Sequence, residues 1–153
     1  MERTPAEFMA ARERLGMDRS DVARELGIDK RTISRWESPA SPTVPFEQAW
    51  EILERHLERH RSAVDTALDI IEEQASEHGE PREVVLPIYP NEATWKAAHP
   101  EANITHEMAN ATNRAVGEAA EAMGYTISFV WPDTDLIRSM RQKADEQFQD
   151  RQQ

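Results

Sequence analysis

The sequence predicts a mainly α protein: an N-terminal bundle of short helices, one long connecting helix, and a small C-terminal α/β unit with two short strands. Three observations carry this. Helix start and stop signals follow one another quickly over the first forty residues. A 3.5-residue apolar seam then runs from Phe46 to Ile71. Beyond Pro81, two short β-branched and aromatic runs, at 84–89 and 125–131, alternate with helical patterns.

The first element starts at Thr4-Pro5-Ala6-Glu7. Thr4 can cap a helix, Pro5 suits its first position, and Glu7 completes a capping box. The helix should cover 5–15, with Gly16 as a left-handed stop. Asp18, with Asp21 three residues on, opens a second helix over 19–26 that ends at Gly27. Asp29 opens a third over 30–37. Pro39, Pro42 and Pro45 make the next stretch a loop.

Phe46, Trp50, Leu53, Leu57, His60, Val64, Ala67 and Ile71 then alternate at spacings of four and three. That seam predicts one long helix, or two collinear ones, over 45–76, ended by Gly79-Glu80-Pro81. The run 84–89 reads as a strand, and Pro87 suits an edge position. Short and long helices follow over 91–98 and 105–123, the second capped by Thr105 and closed by Gly124. The run 125–131 is the second strand. A final helix over 133–149 places Leu136, Ile137, Met140, Ala144 and Phe148 on one side. The domain reading is 1–60 for the bundle, 61–79 for the connecting helix, and 80–153 for the α/β unit.

The chain has 153 residues and no cysteine, which excludes disulfides, thiolate metal sites and cysteine nucleophiles. No stretch approaches the roughly 20 apolar residues of a membrane span, and Met1 to Pro5 do not open a signal peptide. The expectation is a soluble, cytoplasmic protein without a membrane partner. Net charge is −11, yet residues 1–38 hold eight Lys/Arg and eight Asp/Glu. The remainder holds ten against twenty-one, so all the excess negative charge lies outside the first segment.

That first segment meets the demands of a helix-turn-helix. Two short helices must cross steeply if the second is to enter a DNA major groove about 12 Å wide. Ala23 supplies the small residue at the crossing, and Gly27 tolerates the positive φ of the turn. Val22, Leu26, Ile28, Ile33 and Trp36 can pin both helices to a core closed by Phe8, Met9 and Leu15. Lys30, Arg31, Thr32, Ser34 and Arg35 fill the outward face of the second helix.

From Leu15 to Glu37 the sequence resembles the XRE/Cro-type family of phage and bacterial repressors, with alanine, glycine, isoleucine and tryptophan at that family's spacing. The resemblance covers about residues 5–60. It implies a four- or five-helix domain that reads duplex DNA with the helix at 30–37. Lys30, Arg31 and Arg35 are then base readers, since Arg or Lys against a guanine edge is the commonest direct contact. Thr32 would meet a thymine methyl or a phosphate, Ser34 a base or a phosphate, and Arg19 a phosphate at the start of its helix. Arg12 and Glu37 match a structural pair of the family. RNA stays open as a partner, because arginine and lysine contacts to phosphate do not separate the two polymers.

Residues 80–131 resemble the C-terminal part of YdiL-like and anti-CRISPR-associated regulators, through the two strands, Trp95 and the helix bearing Asn110 to Arg114. This resemblance implies a homodimerisation unit. One recognition helix contacts few base pairs, so a two-fold dimer reading two half-sites is expected, as a repressor or autoregulator on a palindromic operator. Trp95, Tyr125, Phe129, Trp131 and Phe148 are candidate core residues or interface anchors. The alternative is an antitoxin-type regulator whose C-terminal part binds a partner protein. No enzyme is expected, because neither a nucleophile elbow nor a phosphate-cradling glycine loop is present. No cofactor or metal is expected either. His56 and His60 stand at i, i+4, but no third ligand lies nearby, and His60 continues the apolar seam. The acidic run from Asp65 to Glu77 reads as a solvated helix face.

Overall fold

The structure is a computed structural model describing residues 3–79, 83–132 and 134–152. Among the described residues, seven helices and two strands follow in the order α1 (Pro5–Arg14), α2 (Arg19–Leu26), α3 (Lys30–Trp36), α4 (Glu47–His78), β1 (Glu83–Pro87), α5 (Glu92–Ala98), α6 (His106–Ala122), β2 (Thr126–Val130) and α7 (Thr134–Gln152). The fold is mainly helical, as the sequence predicts.

Caps explain the sharp boundaries of the short helices. Thr4 Oγ1 accepts from the Glu7 N–H at the start of α1. Asp18 and Asp21 form a reciprocal capping box on α2, each carboxylate accepting from the other's N–H. Asp29, Asn91 and Thr105 cap α3, α5 and α6 with single bonds, their side chains accepting from the Arg31, Thr94 and Met108 N–H groups. Gly27 takes a left-handed φ of 67°, which ends α2 and turns the chain into α3.

One core joins the bundle to the long helix. Phe8, Leu15, Val22 and Ile33 are buried against Trp36, Trp50, Leu53 and Leu57. Phe8 stands edge-on to Trp36 and Trp50, at centroid distances of 5.7 and 5.3 Å. The predicted seam is buried from Trp50 to His60. Beyond that, Val64, Ala67 and Ile71 are half-buried, and Phe46 at the start is partly exposed. Met108 of α6 enters this same core, and Gly16 shows how closely α6 approaches. Gly16 has a φ of 71°, and a Cβ there would lie 2.4 Å from the Glu107 carbonyl oxygen.

The strands pair in parallel, with Val84 opposite Ile127 and Leu86 opposite Phe129. Their crossover contains α5 and α6. Asn110 secures the end of β1, its Oδ1 accepting from the Tyr89 N–H and its Nδ2 donating to the Tyr89 carbonyl. Asn113 donates to the Pro87 carbonyl. Tyr89, Trp95, Ala98 and Ala109 form a second small core, with Tyr89 edge-on to Trp95 and His99 tilted against the Trp95 ring at its margin, and the Trp95 indole donates to the Ile104 carbonyl.

Of the five candidate core or interface residues, Trp95 belongs to this core and Tyr125 is buried within the protomer. Phe129 and Phe148 are exposed, and Trp131 is 68% exposed. The side chains of Leu136, Ile137, Met140 and Ala144 lie outside the described residues, as do Asp133, Glu80 and Pro81. No helix among the described residues is long and apolar enough to cross a membrane.

Candidate nucleic-acid interface

A tight turn joins α2 and α3. Ala23 is buried at the crossing, and the Ile28 N–H returns to the Ala23 carbonyl at 3.0 Å, closing the turn around Gly27. Ile33 and Trp36 sink the inner face of α3 into the core. Lys30, Arg31 and Arg35 are consequently exposed on its outer face. None of these three side chains forms an ion pair among the described residues. Arg31 and Arg35 stand one turn apart, so their Cα atoms are separated by about 6 Å along the helix axis.

Thr32 and Ser34 are half-buried. The Ser34 hydroxyl donates to the Lys30 carbonyl at 3.3 Å, an internal helix bond rather than an outward one.

A buried charge cluster holds the far end of α3. The Glu37 side chain is fully buried. Arg12 grips it with two hydrogen bonds, from Nε at 2.8 Å and from Nη2 at 2.6 Å, and donates a third from Nη1 to the Met17 carbonyl. The Glu37 carboxylate is the main cause of the raised Arg12 pKa, which keeps that guanidinium charged. The expected Arg12–Glu37 pair is therefore present, and it ties α3 to α1. The sequence did not reveal a second cation. Arg19 Nε also donates to Glu37, at 3.3 Å. Its side chain stays partly exposed, so one arginine spans the buried carboxylate and the solvent at the start of α2.

The two histidines of the long helix diverge. His56 Nε2 lies 2.8 Å from Glu25, while His60 is buried with Nδ1 3.2 Å from Thr112 Oγ1. Among the described residues, the acidic group Asp18, Asp21 and Glu107 brings carboxylate oxygens within 4.8 Å of one another. The Asp18 and Asp21 oxygens already serve the α2 capping box. Burial raises the Asp21 pKa.

Residues 8–46 match the helix-turn-helix family model, of the XRE type. No curated protein matches the chain. The match covers α1, α2 and α3 from Phe8 onward and stops at Phe46, where the long helix begins. The match thus supports a DNA-binding helix-turn-helix over residues 8–46.

Proposed function

We propose that the protein is a homodimeric, non-catalytic repressor or autoregulator that reads a palindromic operator with α3. The observation that carries this is the clamped recognition helix. Its inner face is locked by Ile33, Trp36 and the Arg12–Glu37 pair, and its outer face presents Lys30, Arg31 and Arg35 without protein partners among the described residues. Three cations held rigidly at one helix surface suit guanine edges and flanking phosphates. Arg19 would contact a phosphate at the start of α2.

Dimerisation has separate support. Parallel sheets normally have both faces covered. Here α6 covers one face, through Gly117 against Phe129, Ile127 and Leu86, while Val85 on the other is half-exposed. Phe129, at the margin of the α6-facing side, and Trp131, just after β2, leave further aromatic surface exposed. A second copy of the unit would cover this apolar area, and the resemblance of residues 80–131 to dimerising regulators agrees.

Selection of bound duplexes from a random DNA pool tests the reading. The expected result is an inverted repeat with half-sites about 34 Å apart. Arg31→Ala or Arg35→Ala should each cost about 1–3 kcal/mol of specific binding. An unenriched pool, or wild-type binding by both variants, would overturn the assigned face. Phe129→Ser with Trp131→Ser should give a monomer in sedimentation. A wild-type protein that is already monomeric would instead assign the aromatic patch to a partner protein.

A further inference from the structure

We infer that the cleft between α1, α4 and α6 is a binding site for a small zwitterion of the α-amino-acid class. The cleft encloses about 700 Å³, within the range of small-molecule sites. Three cations reach it, one from each helix: Arg14, Arg61 and Arg114. Arg14 and Arg114 form no ion pair among the described residues, and Arg61 has only a contact with Glu58 at 3.9 Å. Carboxylates share the rim, including Asp65 and Glu118. An alanine stripe, Ala111, Ala115 and Ala119, lines the α6 side.

The wall also holds His60, which is only 1% exposed. Thr112 Oγ1 donates its hydrogen to the Met108 carbonyl, so it accepts from His60 Nδ1. With the Thr112 hydrogen committed to that carbonyl, the ring proton is assigned to Nδ1, which makes Nε2 an acceptor. Nε2 is buried and has no partner among the described residues. Burial, reinforced by Arg14, Arg59 and Arg61, lowers the His60 pKa and keeps the ring neutral. A buried acceptor without a donor is unfavourable and uncommon. A ligand ammonium would satisfy it, while the ligand carboxylate would meet the guanidinium groups, which suit that planar anion. The alanine stripe then leaves room for an apolar side chain. A simple anion would satisfy the arginines but neither His60 nor the rim carboxylates.

The site joins the DNA-binding bundle, through Arg14, to the C-terminal unit, through α6. Any effect of the ligand on operator affinity rests on the regulator reading, but binding itself does not. Calorimetry on the full chain without DNA, using the twenty amino acids one at a time, tests the site. Saturable binding tighter than about 1 mM is expected for one or a few of them. Arg114→Ala alters an exposed side chain and leaves the core intact, and it should weaken that binding by about tenfold, the worth of one charge-assisted contact. The matching carboxylic acid without the amino group should bind more weakly still. No saturable binding by any amino acid, no effect of Arg114→Ala and Arg14→Ala, or equal binding of the amine-free acid would each overturn the inference. Loss of DNA response with retained amino-acid binding would count against the regulator reading alone.

Discussion

Gly16 and Gly27 form a matched pair that isolates the joint between the two parts of the chain. Both take left-handed backbone angles, with φ of 71° and 67°. Alanine at either site incurs the left-handed penalty of about 1–2 kcal/mol. The lower entropy of the unfolded alanine chain offsets about 0.4–1 kcal/mol of that. The shared net cost is therefore about 1 kcal/mol. The surroundings then separate the two. Nothing lies within 4 Å of a Cβ at Gly27, whereas at Gly16 the Glu107 carbonyl oxygen lies at 2.4 Å, its carbon at 2.9 Å and Ala111 Cβ at 3.0 Å. The nearest obstacle is backbone at the start of α6, so no rotamer change relieves it. Overpacking of this kind costs about 1–3 kcal/mol. Gly27→Ala should thus cost about 1 kcal/mol and Gly16→Ala about 2–4 kcal/mol. Urea titration followed by tryptophan fluorescence measures both. With a slope of about 2 kcal/mol per molar, the two midpoints should differ by about 1 M. Equal midpoints would show that α6 does not press on the α1–α2 turn, and the shared core through Met108 would fall with it.

The remaining predictions concern charge. Glu37→Gln leaves the buried Arg12 with only the exposed Glu13, at 3.8 Å, as a counter-charge, and should cost about 3–5 kcal/mol of stability in the same titration. Arg19→Ala should weaken binding to all duplexes alike and lower the salt slope by about one, as measured by anisotropy across a salt series. His60 gives a pH dependence. Its folded pKa is lowered by burial and by Arg14, Arg59 and Arg61. The unfolded chain therefore takes up the proton first as pH falls through about 6.5, the ordinary histidine value. Stability should fall with pH below that point, with a slope of at most about 1.4 kcal/mol per unit from this group. His60→Asn should flatten the slope between pH 6.5 and the folded-state pKa, even if it lowers stability throughout.

Local chemistry made the bundle legible in the sequence. Asp18, Asp29, Asn91 and Thr105 each carry their own cap, so helix starts could be read from a few residues. Trp36 and Ile33 announced the inner face of α3 through periodicity, which left Lys30, Arg31 and Arg35 outside. Features that depend on distant segments meeting were not legible. The parallel pairing of β1 with β2 requires the α5–α6 crossover. Gly16 reads as a stop signal, but nothing local reveals Glu107 against it. Trp95 and Tyr125 resemble Trp131 in composition alone. Only the packed structure shows that the first two are buried, Trp95 against Tyr89, and that Trp131 is exposed. His60 was visible as a polar residue in an apolar seam, but its partner Thr112 lies on another helix.

The docking of α6 also brings acid close to the proposed DNA surface, and this conflict can be measured. Arg19, the proposed phosphate contact, begins α2 directly after Asp18. Asp18, Asp21 and Glu107 crowd their oxygens within 4.8 Å there. Asp18 and Asp21 cannot be removed cleanly, because each caps the other's end of the same turn. Glu107 is exposed, and its side chain forms no ion pair or hydrogen bond among the described residues. A phosphate held by Arg19 would be repelled by that carboxylate through water at roughly 0.5–1 kcal/mol. Glu107→Gln keeps the helix and the backbone contact with Gly16 while removing the charge. It should therefore tighten binding about two- to fivefold, equally for specific and random duplexes, and the gain should shrink as salt rises. A gain confined to one sequence would mean that the variant acts through base reading. Unchanged affinity at low salt would mean that the start of α2 lies away from the phosphate backbone, and Arg19 would then belong to the Glu37 clamp alone.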